Sequence, residues 1–280
     1  MTPIVFVHGF LGGSRQWAGQ SGVFCETDDI TVDLPGFGEN CHLMELDSIA
    51  AYAKWVLDAL KSREITLFHL VGHSMGGMVA QEIMVQSPER VESLVLYGTG
   101  STGVLPGRFE TISTSKRRAC ADGSQVTARR IAATWFLKTT EAKAYEDCAA
   151  IAEKSSLQAI LAGLDAMQNW SGTDRLHDIR ARTLVLWGDQ DRTYPWSQTE
   201  CLWRSIPGAD LAVIPDCAHA AHLEQPMFFN SIIKGFFSSI AVVTSRDRWA
   251  ERQTDGPEAG RRPEIPDAPK IDQKTADIPK

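Results

Sequence analysis

The chain has no cysteine pair at C-x-x-C spacing and none at any other metal-ligand spacing. Its six cysteines stand at 25, 41, 120, 148, 201 and 217. That pattern speaks against a metal module and against redox chemistry. It reads as reduced, mostly buried thiols in a cytoplasmic protein. An excess of positive charge is also missing. The net charge is -7 and the pI about 5.5, so no nucleic-acid partner is expected. No apolar run is long enough to span a bilayer. The stretch from Met227 to Val243 is interrupted by Asn230 and Lys234 and reads as a buried helix, so no membrane partner is expected either. No basic leader or cleavage site precedes MTPIVFVHG, which already reads as a strand. There are no internal repeats. What remains is an ordinary globular composition, long enough for one large α/β core with an inserted subdomain.

Short apolar runs bounded by glycine and proline recur along the chain. Pro3 to Val7, Ile30 to Val32, Ile65 to Val71, Val91 to Tyr97, Thr183 to Trp187 and Leu211 to Ile214 suit strands of a parallel sheet buried on both faces. Helical spacing lies between them. Ile49, Ala53, Val56, Leu57 and Leu60 share one face of Asp47 to Lys61, and Met75 to Gln86 buries Val79, Ile83 and Met84. Ser14 to Gln20 reads as a short helix with Ser14 as its N-cap. Thr173 to Ile179, Pro195 to Ser205 and Pro226 to Ile240 are further helices, the last with proline in a favourable first-turn position. This alternation specifies an α/β fold, a doubly wound, mostly parallel sheet with right-handed crossovers. From Ser101 to about Trp170 the strand signals vanish and three or four helices are expected. The expected layout is a core over 1–100 and 171–244, a helical insert over 101–170 after the strand ending near Tyr97, and a disordered tail over 245–280, where five prolines stand among many charges.

Leu70-Val71-Gly72-His73-Ser74-Met75-Gly76-Gly77 organises the rest of the chain. G-x-S-x-G alone is a modest signal. Here it joins an apolar run to a helical one, so it reads as strand, sharp turn, helix with Ser74 at the apex. Such a turn strains its central residue, and side chains at positions 72 and 76 would clash with the neighbouring elements. The serine hydroxyl is thereby lifted beside a helix N-terminus, where developing negative charge is favoured. Serine is a poor nucleophile at neutral pH and needs a base, which in turn needs an orienting acid. Gly188-Asp189-Gln190-Asp191 follows one strand and Pro215-Asp216-Cys217-Ala218-His219 follows the next, with His222 close behind. In a parallel sheet all carboxyl ends lie on one side. Ser74, an aspartate at 189 or 191 and a histidine at 219 or 222 therefore converge, and the set calls for no cofactor and no metal.

Five segments together resemble the α/β-hydrolase fold superfamily over residues 3–240. They are His8-Gly9-Phe10 with its glycine loop, Asp33-Leu34-Pro35-Gly36-Phe37-Gly38, Gly72-His73-Ser74-Met75-Gly76-Gly77, Gly188-Asp189-Gln190-Asp191, and His219 followed by Leu223-Glu224-Gln225-Pro226. The resemblance implies Asp191 as the acid, because the acid usually ends a G-x-x-D turn. It implies His219 as the base, because that histidine usually stands five residues before the Glu of E-x-P. It further implies an oxyanion hole from the backbone N–H groups of Phe10 and Met75. His8 is expected to brace its loop, His73 to pack behind the turn, and His222 to be a packing or rim residue near the site mouth. The antiparallel hairpin that usually opens this fold is missing, since the chain starts at the strand before His8-Gly9.

The insert resembles a cap, whose side chains select substrate. Trp135, Phe136 and Trp170 are expected to close an apolar pocket, with His222 beside it. Arg108, Arg117, Arg118, Arg129 and Arg130 read either as holders of a substrate carboxylate or as a solvated helix face. The Gly76-Gly77-Met78 run and the arginine-bearing insert are similar to 3-oxoadipate enol-lactonase relatives, which act on carboxylated enol-lactones. The short start and the HGFLGG loop also resemble the enzyme that eliminates pyruvate in menaquinone synthesis, but Met78 stands where that enzyme carries an arginine. The function expected is a cofactor-independent serine hydrolase of a carboxylic ester or lactone, acting on a small molecule through an acyl-enzyme. The alternative is a C–C bond hydrolase or lyase using the same triad. A ligand-binding protein on a hydrolase scaffold is a third reading, against which the complete triad argues. Nothing in the sequence specifies an oligomeric state.

Overall fold

The computed structural model describes residues 2–24, 28–105 and 110–238. All of them belong to one unit, Met1–Val242. The expected tail over 245–280, the end of the closing helix, Cys25 and Arg108 lie outside the described residues.

The strands are β1 (Ile4–Val7), β2 (Asp29–Val32), β3 (Phe68–His73), β4 (Val91–Tyr97), β5 (Arg182–Gly188) and β6 (Asp210–Ile214). They form one sheet in the order β2-β1-β3-β4-β5-β6, and every pairing is parallel. β1 and β3 are buried along their whole length, whereas the edge strands β2 and β6 are largely half-buried. The chain moves outward from β1 to β2 and then crosses back to β3. At such a reversal the connections leave in opposite directions, and a crevice opens at the carboxyl ends of the strands. Register brings those ends level, with Val7 opposite Gly72 and His73 opposite Tyr97.

Alternate side chains of the strands feed two apolar layers. Val5 and Val7 join α1 (Ile49–Lys61) and α2 (Met75–Gln86) on one face. Ile4 and Phe6 join Phe229, Ile233 and Phe236 of a C-terminal helix on the other. α1 begins at Ile49, two residues after the expected start, where the Ser48 hydroxyl accepts the Ala51 N–H.

Between β4 and β5 the described residues form four α-helices, α3 (Ile112–Asp122), α4 (Ser124–Ala133), α5 (Tyr145–Ala152) and α6 (Leu157–Gln168). Thr111 and Ser156 cap α3 and α6 through their hydroxyls. The two ends of this insert meet at a neck. Thr102 pairs with Ser171, Gly103 N–H donates to Trp170 O (3.1 Å), and Gly172 N–H donates to Ser101 O (2.8 Å). After β5 come α7 (Trp196–Ser205), then β6, α8 (Ala221–Glu224) and α9 (Pro226–Ser238).

Three local expectations shift. Ser14 is the first residue of a 3-10 turn over Ser14–Trp17, not its cap. Gly13 holds the cap position, and Asp33 supplies the acceptor that Ser14 N–H uses (2.8 Å). Residues 65–67 do not enter β3, because the Arg90 guanidinium takes the carbonyls of Ile65 and Thr66. Thr173–Asp178 is a 3-10 helix.

The glycines after β3 are required by contact. A Cβ at Gly76 would collide with the carbonyl oxygens of Val7 and His8, and one at Gly72 would meet the Ala80 Cβ at 2.8 Å and the Gly76 carbonyl. Those neighbours are mostly backbone and cannot rotate away. Gly76→Ala is therefore expected to lower the unfolding free energy by about 3 kcal/mol or more, as overpacking against backbone does. Urea denaturation reads it, and a midpoint equal to that of the parent protein would contradict the packing described.

Candidate active site

The site is assembled at the carboxyl ends of β1, β3, β4, β5 and β6. Ser74 sits between β3 and α2 with φ 56 and ψ -121, a backbone conformation that L-residues avoid. Its N–H donates to Tyr97 O (3.0 Å), and the Thr99 hydroxyl donates to its carbonyl (2.7 Å). The strained turn is thus held from β4. Gly9 passes so close that a Cβ there would meet the Ser74 Cβ at 2.8 Å. The Ser74 hydroxyl itself has no hydrogen-bond partner among the described residues, and Ser74 lines a cavity together with His219.

The turn after β5 supplies Asp191 and the loop after β6 supplies His219. His219 Nδ1 lies 2.9 Å from Asp191 Oδ2, and both residues are buried. The other carboxylate oxygen accepts the N–H groups of Thr193 (2.7 Å) and Tyr194 (3.1 Å). A carboxylate offers only acceptors, so the proton of the His219–Asp191 bond is on Nδ1, and in the neutral ring Nε2 keeps its lone pair. No hydrogen bond joins Ser74 to His219 among the described residues. Such bonds commonly tighten only with substrate present. Asp189, the alternative acid, takes only the Cys217 N–H (3.4 Å).

The amides expected to form an oxyanion hole are available. Phe10 N–H has no backbone or side-chain acceptor among the described residues. Met75 is the first residue of α2, where no carbonyl lies one turn earlier in the helix to receive its N–H.

Behind His219 lies a buried group of aromatic rings. Tyr97 Oη donates to His219 O (2.7 Å), and His73 Nε2 lies 3.0 Å from the same carbonyl, which makes it the donor. His73 stacks between Tyr97 and His219, each 4.5 Å away. His8 braces its loop as expected. Its Nε2 accepts Leu34 N–H (2.9 Å), so its Nδ1 donates to Gly9 O (2.7 Å). The Leu34 bond needs a lone pair on His8 Nε2 and therefore a neutral ring, whereas the other two are donations. Burial lowers the pKa of His8, His73 and His222, with positive charge on His219 adding to the effect at the last two. Burial likewise raises that of Tyr97.

The cavity at Ser74 measures about 40 Å³ and is lined by Phe10, Leu105, Ile131, Trp135, Met167 and Tyr194, with Thr134 and Thr193 adding hydroxyls. A smaller space beside it is bounded by Gln16, His73, Trp135 and His222. Trp135 lines both spaces. Trp170, expected at the pocket, borders neither space, because its buried indole N–H needs an acceptor and finds Glu82 Oε2 on α2 (3.1 Å), which Arg175 also reaches. His222 is a packing residue rather than a rim residue, 2% exposed, its ring tilted against Trp17 at 4.5 Å and 3.2 Å from the Tyr97 hydroxyl. Phe136 is fully buried. The arginines of the insert turn to its own groups: Arg118 and Arg130 pair with Glu110, Arg129 with Glu146 and Glu153, and Arg117 bonds Thr114. None of these four lines the cavity. Sequence reasoning missed Tyr97, Thr193 and Tyr194. All three stand at or just after strand ends, which is the signal that could have found them. It also missed Ile131 and Thr134, which share a helical face with Trp135.

Among the described residues no helix is long and apolar enough to cross a membrane, and no cluster of three or more His, Cys, Asp or Glu could hold a metal ion. The sequence model of the alpha/beta hydrolase family matches residues 4–232. A dihydrolipoyllysine-residue acetyltransferase component of the acetoin cleaving system of Pseudomonas putida is 28% identical over 252 residues, covering 84% of this chain. The chain spans only 63% of that relative's length. The RutD protein of Azorhizobium caulinodans, provisionally named a carbamate hydrolase, is 26% identical over 85% of this chain and 92% of its own. Among solved structures, a thermophilic esterase from Thermogutta terrifontis superposes with a TM-score of 0.77 at 25% identity, covering 86% of this chain and 90% of that one.

His8, His69, His73 and His222 are buried with lowered pKa values and generate a pH dependence. The unfolded chain titrates near the ordinary value of about 6.5, and above it neither state binds the extra protons. Below it the unfolded state takes up protons that the folded state refuses. Stability is therefore present above about 6.5 and falls with pH, by up to about 1.4 kcal/mol per unit for each histidine. For His222 the fall continues to a pKa of about 3. Urea midpoints should decline steadily from about pH 7 to about pH 5, and a flat profile would mean that these rings are charged in the folded protein.

Proposed function

Given that the chain belongs to the alpha/beta hydrolase family and is a hydrolase, we propose that it cleaves small, uncharged carboxylic esters or lactones with Ser74 as nucleophile, His219 as base and Asp191 as orienting acid. The observation that carries this reading is the buried Asp191–His219 bond, which leaves a basic Nε2 on a residue that shares a cavity with the unpartnered Ser74 hydroxyl. His219 Nε2 takes the hydroxyl proton as Ser74 Oγ attacks the carbonyl carbon. The oxyanion is met by the N–H groups of Phe10 and Met75, each worth about 3 kcal/mol in such a role. His219 then protonates the leaving oxygen, and an alcohol departs. Water, deprotonated by His219, attacks the acyl-enzyme, and the acid leaves as Ser74 regains its proton. Asp191 stays ionised throughout and stabilises the imidazolium.

In this reading the insert over 101–170 acts as a cap, and its side chains set the substrate. Apart from His219 the described residues that line the cavity carry no ionisable group that could balance a carboxylate, which favours neutral acyl groups over the carboxylated lactones of enol-lactonase relatives. The small cavity favours short ones. A carbamate carbonyl is a second reading, favoured by the similarity to RutD, and it would use the same steps. The enzyme is read as cytoplasmic, with a small molecule as its partner.

Ser74→Ala is expected to lower kcat/KM on p-nitrophenyl acetate by about a thousandfold or more, and Asp191→Asn by a comparable factor through the wrong histidine tautomer. A fluorophosphonate should label the parent protein and not Ser74→Ala. Full turnover by Ser74→Ala would sink the mechanism, and faster turnover of vinylogous diketones than of any ester would move the assignment to C–C bond cleavage.

A further inference from the structure

The wall of the cavity and the residue read as its base are tied together by one backbone hydrogen bond and one side chain. Trp135, just after α4, lines both spaces at Ser74, and its carbonyl accepts the Ala220 N–H (2.9 Å). Two residues on, Leu137 N–H donates to Glu224 Oε1 (2.7 Å). The other oxygen of the same carboxylate accepts the N–H of Ala218 (2.7 Å), the residue before His219. Hydrogen bonds from amides to a carboxylate are among the stronger ones, and 2.7 Å is at the short end of their range. Glu224, at the end of α8, thus joins a segment of the insert to the His219 loop.

Resting on the reading of His219 as base, we propose that Glu224 is a positioning residue that sets the base and the acyl-pocket wall together, so that one contact both aligns His219 and restricts the acyl chain. A carboxylate suits this place because each oxygen faces an N–H group. Glutamine would present one acceptor and one NH2, leaving an amide of the bridge facing a donor. Aspartate is one methylene too short to reach both segments. With either change the Trp135–Leu137 segment keeps only the Trp135 O–Ala220 N–H bond to the His219 loop and loses its second tie. The wall then yields to longer acyl chains while the base loses its alignment for short ones.

The test compares the parent protein with Glu224→Gln, Glu224→Asp and a control, Glu146→Ala, which removes an exposed partner of Arg129 on the insert. Each is assayed on p-nitrophenyl acetate and p-nitrophenyl octanoate, and its melting is followed by circular dichroism. Both Glu224 variants are expected to lower kcat on the acetate by roughly tenfold and to shrink the acetate-to-octanoate ratio of kcat/KM by a similar factor. The control should keep both values. A residue that only stabilised the fold would leave the ratio unmoved. Unchanged kcat and ratio would overturn the proposal, as would an equal fall on both esters. If neither Glu224 variant folds, amide hydrogen exchange of the parent protein decides. The Leu137 and Ala218 amides should open as one unit with matching protection, and protection differing by more than about tenfold would overturn the proposal. Failure of a fluorophosphonate to label Ser74 in the parent protein counts against the function proposed above, and it is read separately from the ester ratio and the exchange.

Discussion

Close approach of backbone to backbone at the ends of β1 and β3 is the constraint on which the site depends. Gly76 lies against the carbonyls of Val7 and His8, and Gly9 lies over Ser74. Only glycine allows these distances, which bring the loop after β1 up against the Ser74 turn. The positive φ of Ser74 is a cost of this arrangement. It persists because Tyr97 O and Thr99 Oγ1 hold the turn from both of its peptide groups. The parallel sheet supplies the frame, since register sets β1, β3 and β4 level and the reversal of strand order opens the crevice at that point.

The His219 loop is held differently, by hydrogen bonds rather than close packing. The His219 carbonyl takes two donors, His73 and Tyr97, and its ring is bonded to Asp191 and stacked on Tyr194. Each of these groups is buried, so each would be costly to leave unpaired. The consequence is a histidine with one tautomer and one orientation before any substrate arrives.

Much of this was legible in the sequence because short-range chemistry dictates the residue types. Gly72 and Gly76 mark a turn that admits no side chain, and strand ends in a parallel sheet must share a side, so Ser74, Asp191 and His219 could be brought together from order alone. The choice between Asp189 and Asp191 could not be made from spacing. It turns on which carboxylate meets His219 Nδ1 and the amides at 193 and 194. Trp170 was misplaced for a similar reason. An indole in an amphipathic insert looks like a pocket wall until its buried N–H is found to need Glu82 on α2. The strand at 65–67 was lost to Arg90, a residue some twenty-five positions away. Long-range hydrogen bonds carry no local periodicity, and they account for most of what was not read.

The neck of the insert has a meaning for how this chain could vary. Its two strands leave the core side by side between Ser101 and Gly172, so the sheet meets only a short gap between β4 and β5 whatever lies beyond it. Loop-closure entropy grows slowly with length, and an insert of another size would disturb the sheet little. A transplanted insert matched at the neck alone would nonetheless leave the N–H of Ala220 and one oxygen of Glu224 without partners. Modularity in this architecture therefore has two attachment conditions, one for folding at the neck and one for chemistry near Trp135.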